Sequence, residues 1–192
     1  MATKCRTNQV GLDAALNVFH AVRYAGETGR PINTHVTISF VALGIGDDQA
    51  HDLFKVLQAK ISRWWRYQRC QKGRSIGDVA AVYSHANPAD SRHVHWLVHV
   101  PPEISDEFSK VVAVRLSKVT GQKDLRDALF IGPVDTPGTL AKYILRGVNP
   151  MYARYLHLRA ANEGTVTGRR TGTSRAVGRA TRKGAGWKRK GK

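Results

Sequence analysis

Between Thr34 and Phe40 the chain alternates residue by residue: Val36, Ile38 and Phe40 point one way along an extended backbone, and His35, Thr37 and Ser39 point the other. The same period returns from His93 to Val100, where Val94, Trp96 and Val98 oppose His93 and His95. A two-residue period is incompatible with a helix. It predicts two strands, each with one face turned to a core and the other to solvent or ligand.

The remaining pattern is arranged around these two stretches. Val10, Ala14, Leu16, Val18 and Val22 recur at helical spacing within residues 9–24, ahead of Gly26. Asp47 or Asp48 caps a second helix running to about Gln71, with Leu53, Phe54, Leu57, Ile61, Trp64 and Trp65 as its apolar stripe and a basic far end. Asp78 to Ser84 reads as a strand that pairs as a hairpin with the His93 strand through Asn87-Pro88-Ala89-Asp90. Pro101-Pro102 stops the hairpin, and a helix follows from Ser105 to about Val119. Ala128 to Ile131 makes a short strand, and Thr136 to Val148 a last helix with Pro137 in its first turn. From Thr34 onward the order is strand, helix, strand, strand, helix, strand. It predicts an α+β protein with a ferredoxin-like split βαββαβ antiparallel sheet, helices on one face, and an extra N-terminal helix. The other face is then free for a ligand.

Charge narrows the partner. The 192 residues carry a formal net charge of +17, which favours a polyanion, nucleic acid before an anionic membrane surface. Ten of the basic residues and no acid lie between Thr165 and Lys192, among Gly, Thr and Ser, with Val166, Val177 and Trp187 as the only large apolar side chains. This composition predicts a folded domain over residues 1–160 and a basic nucleic-acid-binding tail over residues 161–192, with Arg169, Arg170, Arg175 and Arg179 as its contacts. Cys5 and Cys70 match neither a disulfide framework nor a four-thiolate zinc site. With no apolar run of signal-peptide or membrane-span length, the expectation is a soluble, cytoplasmic protein without a membrane partner.

His93 and His95 stand at i and i+2 of one strand, so both imidazoles face the predicted open surface, close enough to share a divalent ion. His35 and Thr37 lie on the polar face of the first strand and suit DNA contact, with His35 an alternative ligand; His99 is four residues beyond His95 and out of range. Trp64, Trp65 and Tyr67 stand among Arg63, Arg66 and Arg69, a pattern that can stack bases but equally suits a helix half in the core.

The stretch "HVHWLVHVP" resembles the His-hydrophobe-His strand of the HUH endonucleases, the rolling-circle replication initiators, conjugative relaxases and related transposases. "HVTISF" is similar to that family's first-motif strand, and "TLAKYILRG" supplies a tyrosine on a helix downstream. The likeness spans roughly residues 34–148, and the "GRRTGTSRAVGRATR" stretch also resembles the basic end of small plasmid or phage replication proteins. It implies metal-dependent nicking and joining of single-stranded DNA or an origin hairpin, with Tyr143 as nucleophile, a 5′-phosphotyrosine intermediate, and replication initiation as the role. Where the family has a lysine a few residues after its tyrosine, this chain has Arg146, with Lys142 before it. The family takes its third metal ligand from the neighbouring strand, and His85 is the choice here. An all-His set of His85, His93 and His95 suits Mn²⁺ better than Mg²⁺. Tyr152 and Tyr155 are competing nucleophiles, set apart by Asn149-Pro150. The chain contains no phosphate-binding GxxxxGK[ST] loop, so unwinding calls for a host helicase. The competing functions are a non-catalytic ferredoxin-like nucleic-acid-binding protein, which predicts exposed aromatics on the sheet, and a metal-dependent phosphodiesterase that uses water.

Overall fold

The computed structural model describes residues 5–188. A short strand β1 (Arg6–Thr7) leads into helix α1 (Leu12–Glu27), strand β2 (Thr34–Ser39), helix α2 (Asp47–Cys70), strands β3 (Ala81–Ala86) and β4 (His93–Val98), helix α3 (Ser105–Thr120) and strand β5 (Leu129–Pro133). Helices α4 (Pro137–Ile144) and α5 (Pro150–Ala153), strands β6 (Val166–Thr167) and β7 (Thr171–Thr173), and helix α6 (Arg179–Gly184) complete it. Five strands form one sheet in the order β5-β2-β4-β3-β7, and every neighbouring pair is antiparallel. β1 and β6 form a separate two-stranded ribbon.

The alternation of β2 and β4 divides two cores between the faces of this sheet. Val36, Ile38, Val94, Trp96 and Val98 pack against Phe54, Leu57, Ile61 and Trp65 of α2 and Phe108, Val112 and Leu116 of α3. Phe54, Phe108, Leu57 and Leu116 are all 1 % exposed or less, and each such side chain contributes about 1.5–3 kcal/mol by leaving water. Asp47 and Asp48 occupy the first turn of α2 rather than its cap, which is Gly46. Their charge still favours that helix end.

The second face departs from the expectation of helices on one side. Val82 and Leu97 join Ala15, Val18, Ala21 and Ala25 of α1 and Ala141, Ile144 and Leu145 of the α4 region in a second buried cluster. The small residues of α1 let that helix lie close to the sheet, so the open surface shrinks to the part around β2, β4 and β5 that α1 and α4 leave uncovered.

The expected tail after residue 160 is also corrected over 163–188. β7 adds to the sheet beside β3, with Thr171 opposite Ser84 and Gly172 opposite Tyr83. Gly172 is required there, because a Cβ would lie 2.6 Å from the Tyr83 ring. Val177 is fully buried, and the Trp187 ring lies against His20 and Tyr24 while its Nε1–H donates to Glu27 at 2.6 Å. Three apolar side chains in a polar stretch suffice because each meets a prepared partner. Arg189, Lys190 and Lys192 lie outside the described residues.

Arg170 was expected on DNA, but it is 3 % exposed. Its guanidinium donates to the carbonyls of Thr7 (3.0 Å), Glu163 (3.2 Å) and Gly164, tying β1 to the turn before β6. Burial lowers its pKa from the ordinary arginine value, against the pull of Glu163 and Asp47. Arg170→Ala is expected to cost about 3 kcal/mol in denaturant unfolding by stranding these carbonyls, whereas Arg169→Ala, at an exposed site, is expected to stay within about 0.5 kcal/mol.

Candidate functional site

Pairing of β2 with β4 sets Thr37 opposite His95 and His35 opposite Leu97, so His35, Thr37, His93 and His95 all rise from the uncovered face. His35 Nε2 and His95 Nδ1 are 3.1 Å apart, and Thr37 Oγ1 is 3.0 Å from the first and 3.1 Å from the second. Thr37, expected to touch DNA, is thus bonded between two imidazoles. The His93 ring lies 4.7 Å from that of His95, centroid to centroid. His93 Nδ1 must carry its proton, since it donates to the Ser91 carbonyl at 2.6 Å, and this leaves Nε2 with a free lone pair.

Tyr143 reaches this cluster from α4. Its ring packs edge-on to His95 with centroids 5.3 Å apart, and it keeps 42 % of its surface exposed. The guanidinium carbon of Arg146 sits 4.3 Å from the Tyr143 ring centroid, while Arg146 Nη2 pairs with the buried Glu163 carboxylate at 3.0 Å. Positions i and i+3 share a helix face, so this stack follows from sequence spacing even though α4 has ended by Arg146. Lys142 is about 100° round the helix from Tyr143. It lines a different hollow, with Arg23, Arg154, Tyr155 and His157. Tyr152 packs into the second core, and Tyr155, 65 % exposed, faces the Lys142 hollow.

His85 does not belong to this cluster. In the hairpin register His85 faces Val94 and Ser84 faces His95, so His85 points to the opposite side of the sheet from the histidine pair. There it is 4 % exposed, between the rings of Phe40 and Phe54 and 5.5 Å from that of His51. The expected strand ran from Asp78 to Ser84; the strand found is Ala81–Ala86, and odd residues of β3 pair with even residues of β4. Its Nε2 has no hydrogen-bond partner among the described residues.

Burial pushes His85 down to about 3, helped by the charges of His51, Arg170 and His93. Burial likewise pushes His95 down to about 3, with His93, His35 and Arg146 adding to it, and lowers His35. These imidazoles are neutral at physiological pH, the form that donates a lone pair to a cation. The same shifts give a sign for acid unfolding. The unfolded chain takes up protons at about 6.5 and the folded chain does not until about 3, so stability is complete above about pH 6.5 and falls as the pH drops. Each histidine then contributes a slope of about 1.4 kcal/mol per pH unit. His85→Leu is expected to remove that much of the slope between pH 6 and 4 in urea titrations with a chelator present; an unchanged slope would place the His85 proton elsewhere.

The side chains gathered here are of the types that can donate to a divalent cation. Two neutral imidazole nitrogens and a hydroxyl converge, and the lone pair of His93 is set by a carbonyl. Among the described residues, no group of three or more His, Cys, Asp or Glu is arranged to hold a metal ion by itself. In this cluster His35, and not His85, stands beside His95 and His93.

Arg169, Arg175 and Arg179 are exposed near β7, at the edge of the sheet opposite β5. Among the possible stacking residues of α2, Trp65 is 3 % exposed with its Nε1–H donating to the Gly77 carbonyl at 2.8 Å, Trp64 packs against Phe108, and only Tyr67 is exposed. His99 is turned away, donating from Nδ1 to the Pro31 carbonyl at 2.7 Å. One aromatic on the open face had gone unpredicted. Phe130 on β5 lies opposite Thr37, and its ring meets that of His35. The clue was the parity of Phe130 and Gly132, legible only once β5 is paired with β2. Among the described residues no helix is long and apolar enough to cross a membrane. Neither a protein-family model nor a curated protein matches this chain.

Proposed function

We propose that this chain is a metal-dependent, single-tyrosine nuclease of the HUH type that nicks and rejoins single-stranded DNA. The observation that carries it is the packing of Tyr143 against His95, with the Arg146 guanidinium over the phenol ring. The phenol thus meets one imidazole of the three-histidine cluster and lies under a guanidinium, an arrangement that a merely structural tyrosine does not need.

In this reading Tyr143 Oη forms a bond to a backbone phosphorus while the bond from that phosphorus to the 3′ oxygen breaks. The products are a 5′-phosphotyrosine and a free 3′ hydroxyl, and the phenolic proton passes through solvent to the departing oxygen. A phenol has an ordinary pKa near 10 and is a weak nucleophile at neutral pH. Arg146, held by Glu163, sets positive charge over the phenol ring, which favours the form that has lost its proton. His35, His95 and His93 would hold Mn²⁺ or Mg²⁺, whose charge supplies Lewis-acid stabilisation to a non-bridging phosphate oxygen. The phosphotyrosine conserves the energy of the broken bond, so a 3′ hydroxyl can reverse the step and join strands.

The sheet supports a ferredoxin-like reading. Counting from β2 in chain order, its four main strands lie fourth, first, third, second, all antiparallel, with α2 and α3 in the crossovers. The exposed arginines near β7 and the net charge of +17 suit a nucleic-acid partner. An origin hairpin as target, replication initiation as role and a host helicase as partner follow from the same reading.

The test is a covalent adduct. Purified protein with Mn²⁺ and a pool of single-stranded oligonucleotides tiling the DNA around its own gene is expected to yield a protein–DNA species that survives denaturing electrophoresis and carries the 5′ end of one product. Binding without cleavage across the pool would favour the non-catalytic nucleic-acid-binding alternative, which the exposed Phe130 also suits.

A further inference from the structure

Among the described residues, Phe130 is the one large apolar side chain on a sheet strand that remains exposed, with 58 % of its surface in solvent. Its strand neighbours Leu129 and Ile131 pack toward the α2–α3 core. Phe130 has the opposite parity and emerges on the face of Thr37, His35 and His95. Gly132, two residues on and opposite His35, gives the ring its place. A Cβ at Gly132 would lie 2.6 Å from the ring, so the ring lies along the strand in space that only glycine leaves open. From there its plane tilts 68° to the His35 imidazole, with centroids 5.9 Å apart. Phe130 on β5, His35 on β2 and His95 on β4 thus follow the strand order, with the Tyr143 phenol of α4 against His95.

We propose that Phe130 is a stacking platform for one base of a single-stranded nucleic acid, next to the position where the backbone phosphate meets Tyr143. This rests on the nuclease reading and names the contact that seats its substrate. An aromatic face stacks on any unpaired base, and a base inside a duplex offers it no free face. The chain's positive charge selects a polyanion over an apolar partner. A flat ring beside the phosphate-binding groups sets where along the strand the scissile bond stops, so Phe130 is a positioning residue.

The measurement uses the full chain with Tyr143→Phe, so that no chemistry intervenes, and a fluorescein-labelled oligothymidylate followed by anisotropy at low salt. Adding Phe130→Ala is expected to weaken binding roughly 5- to 100-fold, and Phe130→Trp is expected to retain it. An oligonucleotide containing 2-aminopurine is expected to show a quenched fluorescence that Phe130→Ala relieves. Circular dichroism on both variants checks folding, which truncation of an exposed side chain should leave intact. Binding by Phe130→Ala within about twofold of its parent, with quenching unchanged, would overturn the platform. So would a concentration-dependent dimer that Phe130→Ala dissociates, since the ring would then be covered by a second copy. If single strands are bound and the Tyr143 adduct forms while Phe130→Ala changes nothing, the platform alone fails. If the chain binds no single-stranded DNA, the nuclease reading fails with it.

Discussion

Tyr143→Phe is expected to abolish the covalent protein–DNA adduct and to reduce nicking roughly a thousandfold or more, while single-strand binding and thermal stability stay close to those of the parent. The substitution removes one oxygen from a ring whose packing against His95 and beneath Arg146 is made by carbon atoms. With the phenol 42 % exposed, loss of its hydroxyl leaves no buried group unpaired. Gel analysis of labelled oligonucleotide with Mn²⁺ separates the possible outcomes. An adduct that persists in Tyr143→Phe moves the nucleophile to Tyr155 or Tyr152, both outside the histidine cluster. Strand cleavage that never yields an adduct, even in the parent, replaces a tyrosine nucleophile with water and makes the chain a metal-dependent phosphodiesterase.

The second large effect distinguishes two histidines that look equivalent in the sequence. His35→Ala is expected to weaken Mn²⁺ binding and metal-supported nicking by roughly a hundredfold or more, whereas His85→Leu is expected to leave both near the parent level. The basis is register: His35 Nε2 lies 3.1 Å from His95 Nδ1, and His85 lies across the sheet among Phe40, Phe54 and His51. Titration of Mn²⁺ into DNA-free protein, followed by the paramagnetic signal of the free ion, measures the metal step without any assumed cleavage site. A strong loss in His85→Leu with none in His35→Ala would mean that the hairpin pairs in the other parity. Burial pushes the His95 imidazole down to about 3 and lowers that of His35, so these two should stay neutral at mildly acidic pH, where an ordinary histidine is already protonated.

Much of this site can be read along the chain. The i, i+2 spacing of His93 and His95 puts both rings on one face of any strand that contains them, and the opposing Val94 and Trp96 identify which face is wet. The i, i+3 spacing of Tyr143 and Arg146 already suggests that the guanidinium lies over the phenol. The features that the sequence does not display have a common origin. His85 was assigned to the metal because the hairpin register was open, and a slip of one residue exchanges the faces of a whole strand. Arg170 was assigned to DNA because a run of arginines between glycines has the composition of a solvated tail. Its burial depends on the carbonyls of Thr7, Glu163 and Gly164, one of them far away in the chain. Phe130 was overlooked because its face is defined only by pairing with Thr37.

Local periodicity by itself determined which stretches are helix or strand and which side chains share a face within each, because backbone geometry repeats every two or 3.6 residues whatever surrounds it. The tertiary structure alone decided which strand faces meet, that the small residues of α1 cover the second face near β3 and β7, and that a polar, basic segment becomes an edge strand. These outcomes depend on contacts between residues distant in sequence, where a few apolar anchors and buried carbonyls outweigh local composition.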